Sequence, residues 1–155
     1  IAVWDGSRVL QIGTAEKLWR RPSSTASAAL LGAANMIPCT IRRVVGGSAL
    51  VAVAHRTVCA QVCAAGTAWA PGSQALLCIR PHALRIVSLG DRDALRANVK
   101  SAVWTGATTR LELVLTSVGG RTVTVDVPGH AHLGLGSEVG VRIPEPAGVV
   151  LPSAS

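Results

Sequence analysis

The chain has 155 residues, of which 49% are hydrophobic and only 15% charged, against roughly 25% charged in an average globular protein. That length suits one domain, or one domain with an extra arm, and buries a core without help from disulfides. Fifteen Lys+Arg against eight Asp+Glu leave a formal charge of +7, but thirteen of the cations are Arg spread along the chain. They are adjacent only at Arg20-Arg21 and Arg42-Arg43, so no dense basic block of the nucleic-acid or lipid-binding kind exists.

Apolar runs such as Ala26–Ala34 and Ala49–Ala54 fall well short of the roughly 20 residues a bilayer requires. The opening Ile1-Ala2-Val3-Trp4-Asp5-Gly6 has no signal-peptide character and begins directly on a strand-like run. A piece of a longer protein is expected to look this way.

Ala2-Val3-Trp4 and Arg8–Ile12 flank Asp5-Gly6, a two-residue turn signal, and predict a β-hairpin. Thr14 is placed to N-cap a helix over 15–20, with Glu16 in the first turn, and Pro22 ends it. Ser23 or Ser24 then caps a second short helix over 26–31, which stops at Gly32. Beyond Asn35 the texture becomes that of short strands between turns. These are Thr40–Val45, Ala49–His55, Thr57–Val62, Ala75–Arg80 and Leu84–Ser88, followed by a second group starting at Leu95–Trp104. Thr108–Thr116, Arg121–Val127, Val139–Ile143 and Val149–Leu151 complete it, and Pro152–Ser155 reads as a tail. About ten short strands with almost no helix after Gly32 predict closed or nearly closed β-barrels.

Catalytic patterns are missing. Neither Lys17 nor Lys100 follows a glycine, so there is no phosphate-binding loop, and no G-x-S-x-G elbow occurs. His130-x-His132 is the best metal-ligand pair, but it follows Pro128-Gly129 in a loop without cysteine and is expected to be solvated. Cys39, Cys59, Cys63 and Cys78 show no C-x-x-C spacing, and Cys59-x3-Cys63 lies in an Ala/Val context; they read as small buried thiols, with a disulfide pair or a metal site as the alternative. A base-stacking barrel needs aromatic platforms. With no Phe or Tyr and only Trp4, Trp19, Trp69 and Trp104, nucleic acid is not an expected partner.

Several segments in order resemble one family. Ile1–Thr14 with Glu16-Lys17-Leu18-Trp19-Arg20-Arg21-Pro22 is similar to the hairpin and helix that close the nucleotide-binding domain in ATP-binding subunits of bacterial ABC importers. Leu30-Leu31-Gly32 with Asn35-Met36-Ile37-Pro38 resembles the passage into that family's C-terminal domain. Ile79-Arg80-Pro81 resembles its Arg-Pro-Glu signature, Val103-Trp104-Thr105-Gly106 its Tyr-Leu-Gly step, and Gly136–Val139 with Val149–Pro152 its closing motifs. Cys39 stands where the family often has Gly, His82 where it has Glu, and Trp104 where it has Tyr.

The resemblance implies a mainly β protein of OB-fold-like paired, interwoven small barrels, the transport-associated OB (TOBE) domain. Residues 1–34 would be the end of the ATPase domain and 35–155 the TOBE domain, of the spermidine/putrescine, iron, sulfate or maltose type. The implied role is regulatory and dimerising, without catalysis in this stretch and with no cofactor or metal of its own; ATP and Mg belong to the intact parent. Implied partners are a second copy, membrane permease subunits and, alternatively, a small oxyanion, with the parent cytoplasmic on the inner membrane face. Arg80, His82, Trp104 and Arg110 are the candidate interface or ligand contacts.

Overall fold

The computed structural model describes residues 1–63 and 67–153. The hairpin forms as expected: β1 (Ala2–Asp5) and β2 (Arg8–Ile12) are antiparallel, and Gly6 turns the chain at φ 57°. α1 (Ala15–Arg20) is capped by Thr14, whose Oγ1 accepts the Lys17 N–H at 3.2 Å. α2 (Thr25–Leu30) is capped by Ser24 accepting from Ser27 N–H at 3.1 Å. Each cap satisfies a first-turn N–H that the helix cannot bond internally.

Residues beyond the helices form ten strands in two compact units. The first unit comprises Ile1–Ile79 and Glu145–Ser155, and the second Arg80–Pro144. In the first, β3 (Asn35–Val45), β4 (Ser48–Val53), β5 (Arg56–Val62), β6 (Gln74–Ile79) and β12 (Val149–Pro152) close into a barrel in the order β12-β5-β4-β3-β6. Alternate residues point inward, so Ile37, Cys39 and Ile41 meet Val51, Val53, Val58, Leu77, Ile79 and Val150 in a filled aliphatic core. On the outer wall Cys78, Val149 and Leu151 pack against Ala28 of α2. All four cysteines are free; Cys39 and Cys78 are buried, whereas Cys59 and Cys63 are half-buried. Burial pushes the Cys39 thiol up to about 11, so it behaves as an inert apolar side chain.

In the second unit, β7 (Arg85–Val87), β8 (Ala94–Trp104), β9 (Thr108–Leu115), β10 (Arg121–Pro128) and β11 (Glu138–Arg142) form a sheet in the order β10-β9-β8-β11-β7. The sheet curls, and its two edges approach where Asp126 N–H donates to Pro81 C=O at 3.1 Å. Leu95, Ala97, Val99, Leu111, Leu113, Leu115, Val123, Val125 and Val141 fill the concave side.

Four sequence expectations are corrected. β3 starts at Asn35, not Thr40, because over its first five residues it pairs with β6 alone and Pro38 lies outside the β4 ladder. His55 is in a turn rather than a strand, since β4 stops at Val53 and Ala54 adopts φ 51°. The strand groups also exchange members: β7 belongs to the second sheet, while β12 returns to close the first barrel. Finally, Pro152 is not tail but part of β12, opposite Ala75; residues 154–155 lie outside the described residues.

Candidate functional site

The antiparallel pairing of β9 with β10 sets Arg110 opposite Asp126. Their side chains make a two-pronged ion pair, Nε to Oδ1 and Nη2 to Oδ2, each 2.8 Å. Such fork geometry is the strong form of a carboxylate contact. Arg110 holds the Asp126 carboxyl below the usual carboxylate range, with His82 adding a smaller attraction. His82 and Arg110 are thus brought together around Asp126, on the turn before β7 and on β9.

The other two candidates differ in exposure. Arg80 is buried, only 8% exposed, so it is a packing residue of the Arg80-Pro81 turn more than a surface contact. Trp104, 59% exposed at the end of β8, lies opposite buried Thr109 and so on the other pleat face from Arg110. Its indole meets His130 edge-on, ring centroids 5.4 Å apart. Asp126 is the member that sequence reading missed. Counting outward from Gly119-Gly120 as a two-residue turn would place it opposite Leu113; the connection in fact spans 116–120 with a short 3-10 turn, and that longer loop brings Asp126 opposite Arg110.

The sign of the pH effect follows from the direction of the shift. A carboxyl lowered by folding adds stability above its unfolded pKa of about 3.9, and that contribution fades as pH falls through the folded value. Asp126→Asn is therefore expected to flatten the acid limb of a melting-temperature profile below about pH 4. The effect is small, because half of the Arg110 side chain is exposed to solvent. An acid limb identical in parent and variant would show that the pair contributes nothing.

A second feature belongs to the first unit. The β3–β4 turn and the end of β5 border a half-open cavity of about 620 Å³ lined by residues including Arg21, Gly46, Gly47, Gln61, Thr67 and Trp69. The buried Trp69 Nε1–H has no hydrogen-bond partner among the described residues. Neither Arg21 nor Trp69 was singled out as a ligand contact from sequence, because only the closed barrel brings them to one cleft. No cluster of three or more His, Cys, Asp or Glu suited to a metal occurs among the described residues. No helix there is long and apolar enough to cross a membrane.

A small closed barrel, completed by β12 after the contiguous second unit Arg80–Pro144 with its curled sheet, defines an OB-fold-like, mainly β protein. Residues 77–151 match the TOBE domain family. The chain carries a TOBE domain of the type found in the ATP-binding subunits of ABC importers. It is 32% identical over 128 residues to the spermidine/putrescine import ATP-binding protein PotA of Acidothermus cellulolyticus, a match taking in 79% of this chain. The chain spans about a third of that relative, 32% of its length. A solved structure of the cytoplasmic molybdate-binding protein ModG, with molybdate bound, superposes with a TM-score of 0.62. That likeness covers 77% of this chain and 96% of ModG at 18% identity, and it speaks to the fold alone.

Proposed function

We propose that this chain is a non-catalytic regulatory and dimerisation module of an ABC importer ATP-binding subunit. The TOBE match, set on a barrel whose interior is filled by aliphatic side chains, carries the reading. A filled barrel offers its outer faces for contact, so the function is one of protein–protein burial with no covalent step. In the intact parent, residues 1–34 would complete the nucleotide-binding part and 35–155 would form the regulatory part. ATP and Mg would be held upstream, permease subunits would be the membrane partners, and the assembly would sit on the cytoplasmic face. We assign His82 and Arg110 to one contact face of the second unit and Trp104 to the opposite pleat face of β8–β9, with buried Arg80 backing the turn that carries His82.

Two measurements test this reading: ATP turnover and sedimentation of the chain in solution. A self-associating species without ATPase activity is expected. Trp104→Ala is expected to weaken self-association by about tenfold or more, as for an exposed aromatic anchor. Measurable ATP hydrolysis, or a strictly monomeric chain at high concentration, refutes it.

One observation favours a second reading, the sensing of a small oxyanion. Arg21 and Trp69 line one cleft, and the buried Trp69 Nε1–H has no hydrogen-bond partner among the described residues, so Arg21 brings a charged donor and a small movement of the indole would bring a neutral one. The ModG fold likeness supports it as well. Calorimetry with molybdate, sulfate and phosphate decides, and silence across all three removes it.

A further inference from the structure

We propose that His130 and His132 together chelate a borderline divalent transition ion, of the Ni²⁺, Cu²⁺ or Zn²⁺ class, on the loop that follows β10. The Nδ1 of His130 and the Nε2 of His132 lie 3.0 Å apart. Two nitrogens bound to one ion at about 2.1 Å and a right angle stand about 3.0 Å apart, which is the edge of a cis chelate. The ring centroids are 4.2 Å apart with planes at 63°. In the metal-free pair one ring donates its N–H to the other along that line. Metal binding requires the donating ring to take its other tautomer, its proton passing by way of solvent to its second nitrogen with no net release, and each ring turns to aim its lone pair at an ion beside the line. Both residues are exposed, so the turn disturbs no core contact.

The loop backbone is already held on both sides of His130. Thr109 Oγ1 donates to Gly129 C=O at 2.7 Å and accepts from Ala131 N–H at 2.9 Å. Gly129 N–H donates to Ala107 C=O at 2.9 Å. Little ordering entropy is left to lose when the ion binds, and that favours a two-ligand site. Spacing alone did not distinguish this loop from a solvated one, since two histidines two apart converge only if the backbone between them is fixed.

Imidazole nitrogen selects nickel, copper and zinc over the oxygen-seeking magnesium and calcium. With two protein ligands, the other coordination positions fall to water or to a donor brought by a partner. The affinity is accordingly far below that of a four-ligand structural site.

The test is a calorimetric titration of the chain with nickel chloride, run beside tryptophan fluorescence. Trp104, edge-on to His130, reports on the site, because bound paramagnetic nickel quenches a nearby indole. One saturable ion per chain is expected, with heat and fluorescence loss sharing a midpoint. His130→Ala and His132→Ala should each weaken binding by about tenfold or more. Trp104→Phe should keep the heat and lose most of the quenching. Thermal melts of the histidine variants should match the parent, which separates ligand loss from misfolding. Unchanged affinity in both histidine variants, or no saturable heat with millimolar nickel, overturns the proposal.

Discussion

Replacing Gly148 with alanine is expected to cost about 3–5 kcal/mol of stability and to open the barrel at β12. Gly148 adopts φ 49°, and an added Cβ would stand 2.0 Å from the backbone oxygen of Cys78. The left-handed conformation alone costs an L-residue about 1–2 kcal/mol. The overlap adds the larger part, because a backbone carbonyl inside a strand pair cannot swing aside as a side chain would. Relief requires moving β12 away from β6, and several bonds go with it. Gly148 C=O accepts from Gln61 N–H at 3.1 Å, and Ala147 N–H donates to Cys59 C=O at 2.7 Å. Val150, buried against the barrel core, would follow. Urea unfolding measures the loss, and at a typical slope of about 1–3 kcal/mol per molar it shifts the midpoint by more than 1 M. Hydrogen exchange should show the first loss of protection in β12 and its partners β5 and β6. A variant within about 0.5 kcal/mol of the parent would mean that the chain relaxes freely at this point, and the account of barrel closure would be wrong.

Gly148 also marks where sequence reading stopped. The hairpin about Asp5-Gly6, the cap at Thr14 and the alternation of Leu111, Leu113 and Leu115 are local signals, readable within a few residues. The return of β12 is decided by partners more than 70 positions away in sequence, Cys78 and Leu77 among them, and leaves no local trace. A glycine before Val149-Val150-Leu151 read as an ordinary strand start, since nothing near it announces the Cys78 carbonyl. β7 was assigned to the wrong group for the same reason: three residues have too little pattern to declare which sheet they join. At the candidate site, Trp104 and the exposed face of β9 were legible, because strand ends and alternation are local. That Arg110 is already paired with Asp126 was not, and it changes the chemistry. An arginine clasped at both prongs has fewer donors left for an outside anion, and this favours the interface reading of that face.

Gln11 is the second residue whose loss should be felt strongly, and its role is that of a clip between hairpin and helices. Its Nε2 donates to Arg21 C=O at 2.8 Å. Its Oε1 accepts from both Ser23 N–H at 2.9 Å and the Ser27 hydroxyl at 2.8 Å. Ser23 extends the chain of contacts by donating its hydroxyl to Leu10 C=O and accepting from the Cys63 thiol on the barrel. Ser27 is fully buried, so its hydroxyl has no water to turn to once Oε1 is gone. An ordinary hydrogen bond contributes about 0.5–1.5 kcal/mol, and a stranded buried donor costs about 1–3 kcal/mol. Gln11→Ala is therefore expected to destabilise by about 2–4 kcal/mol. The asymmetry between losing one partner and losing both gives the sharper measurement. Adding Ser27→Ala to Gln11→Ala removes the stranded hydroxyl, so the double variant should recover part of the loss, about 1 kcal/mol or more. Simple additivity predicts the reverse, a double variant worse than either single one. Denaturant midpoints of the three proteins distinguish these outcomes. A strictly additive pair would show that Ser27 finds another acceptor and that Gln11 is held by its backbone contacts alone.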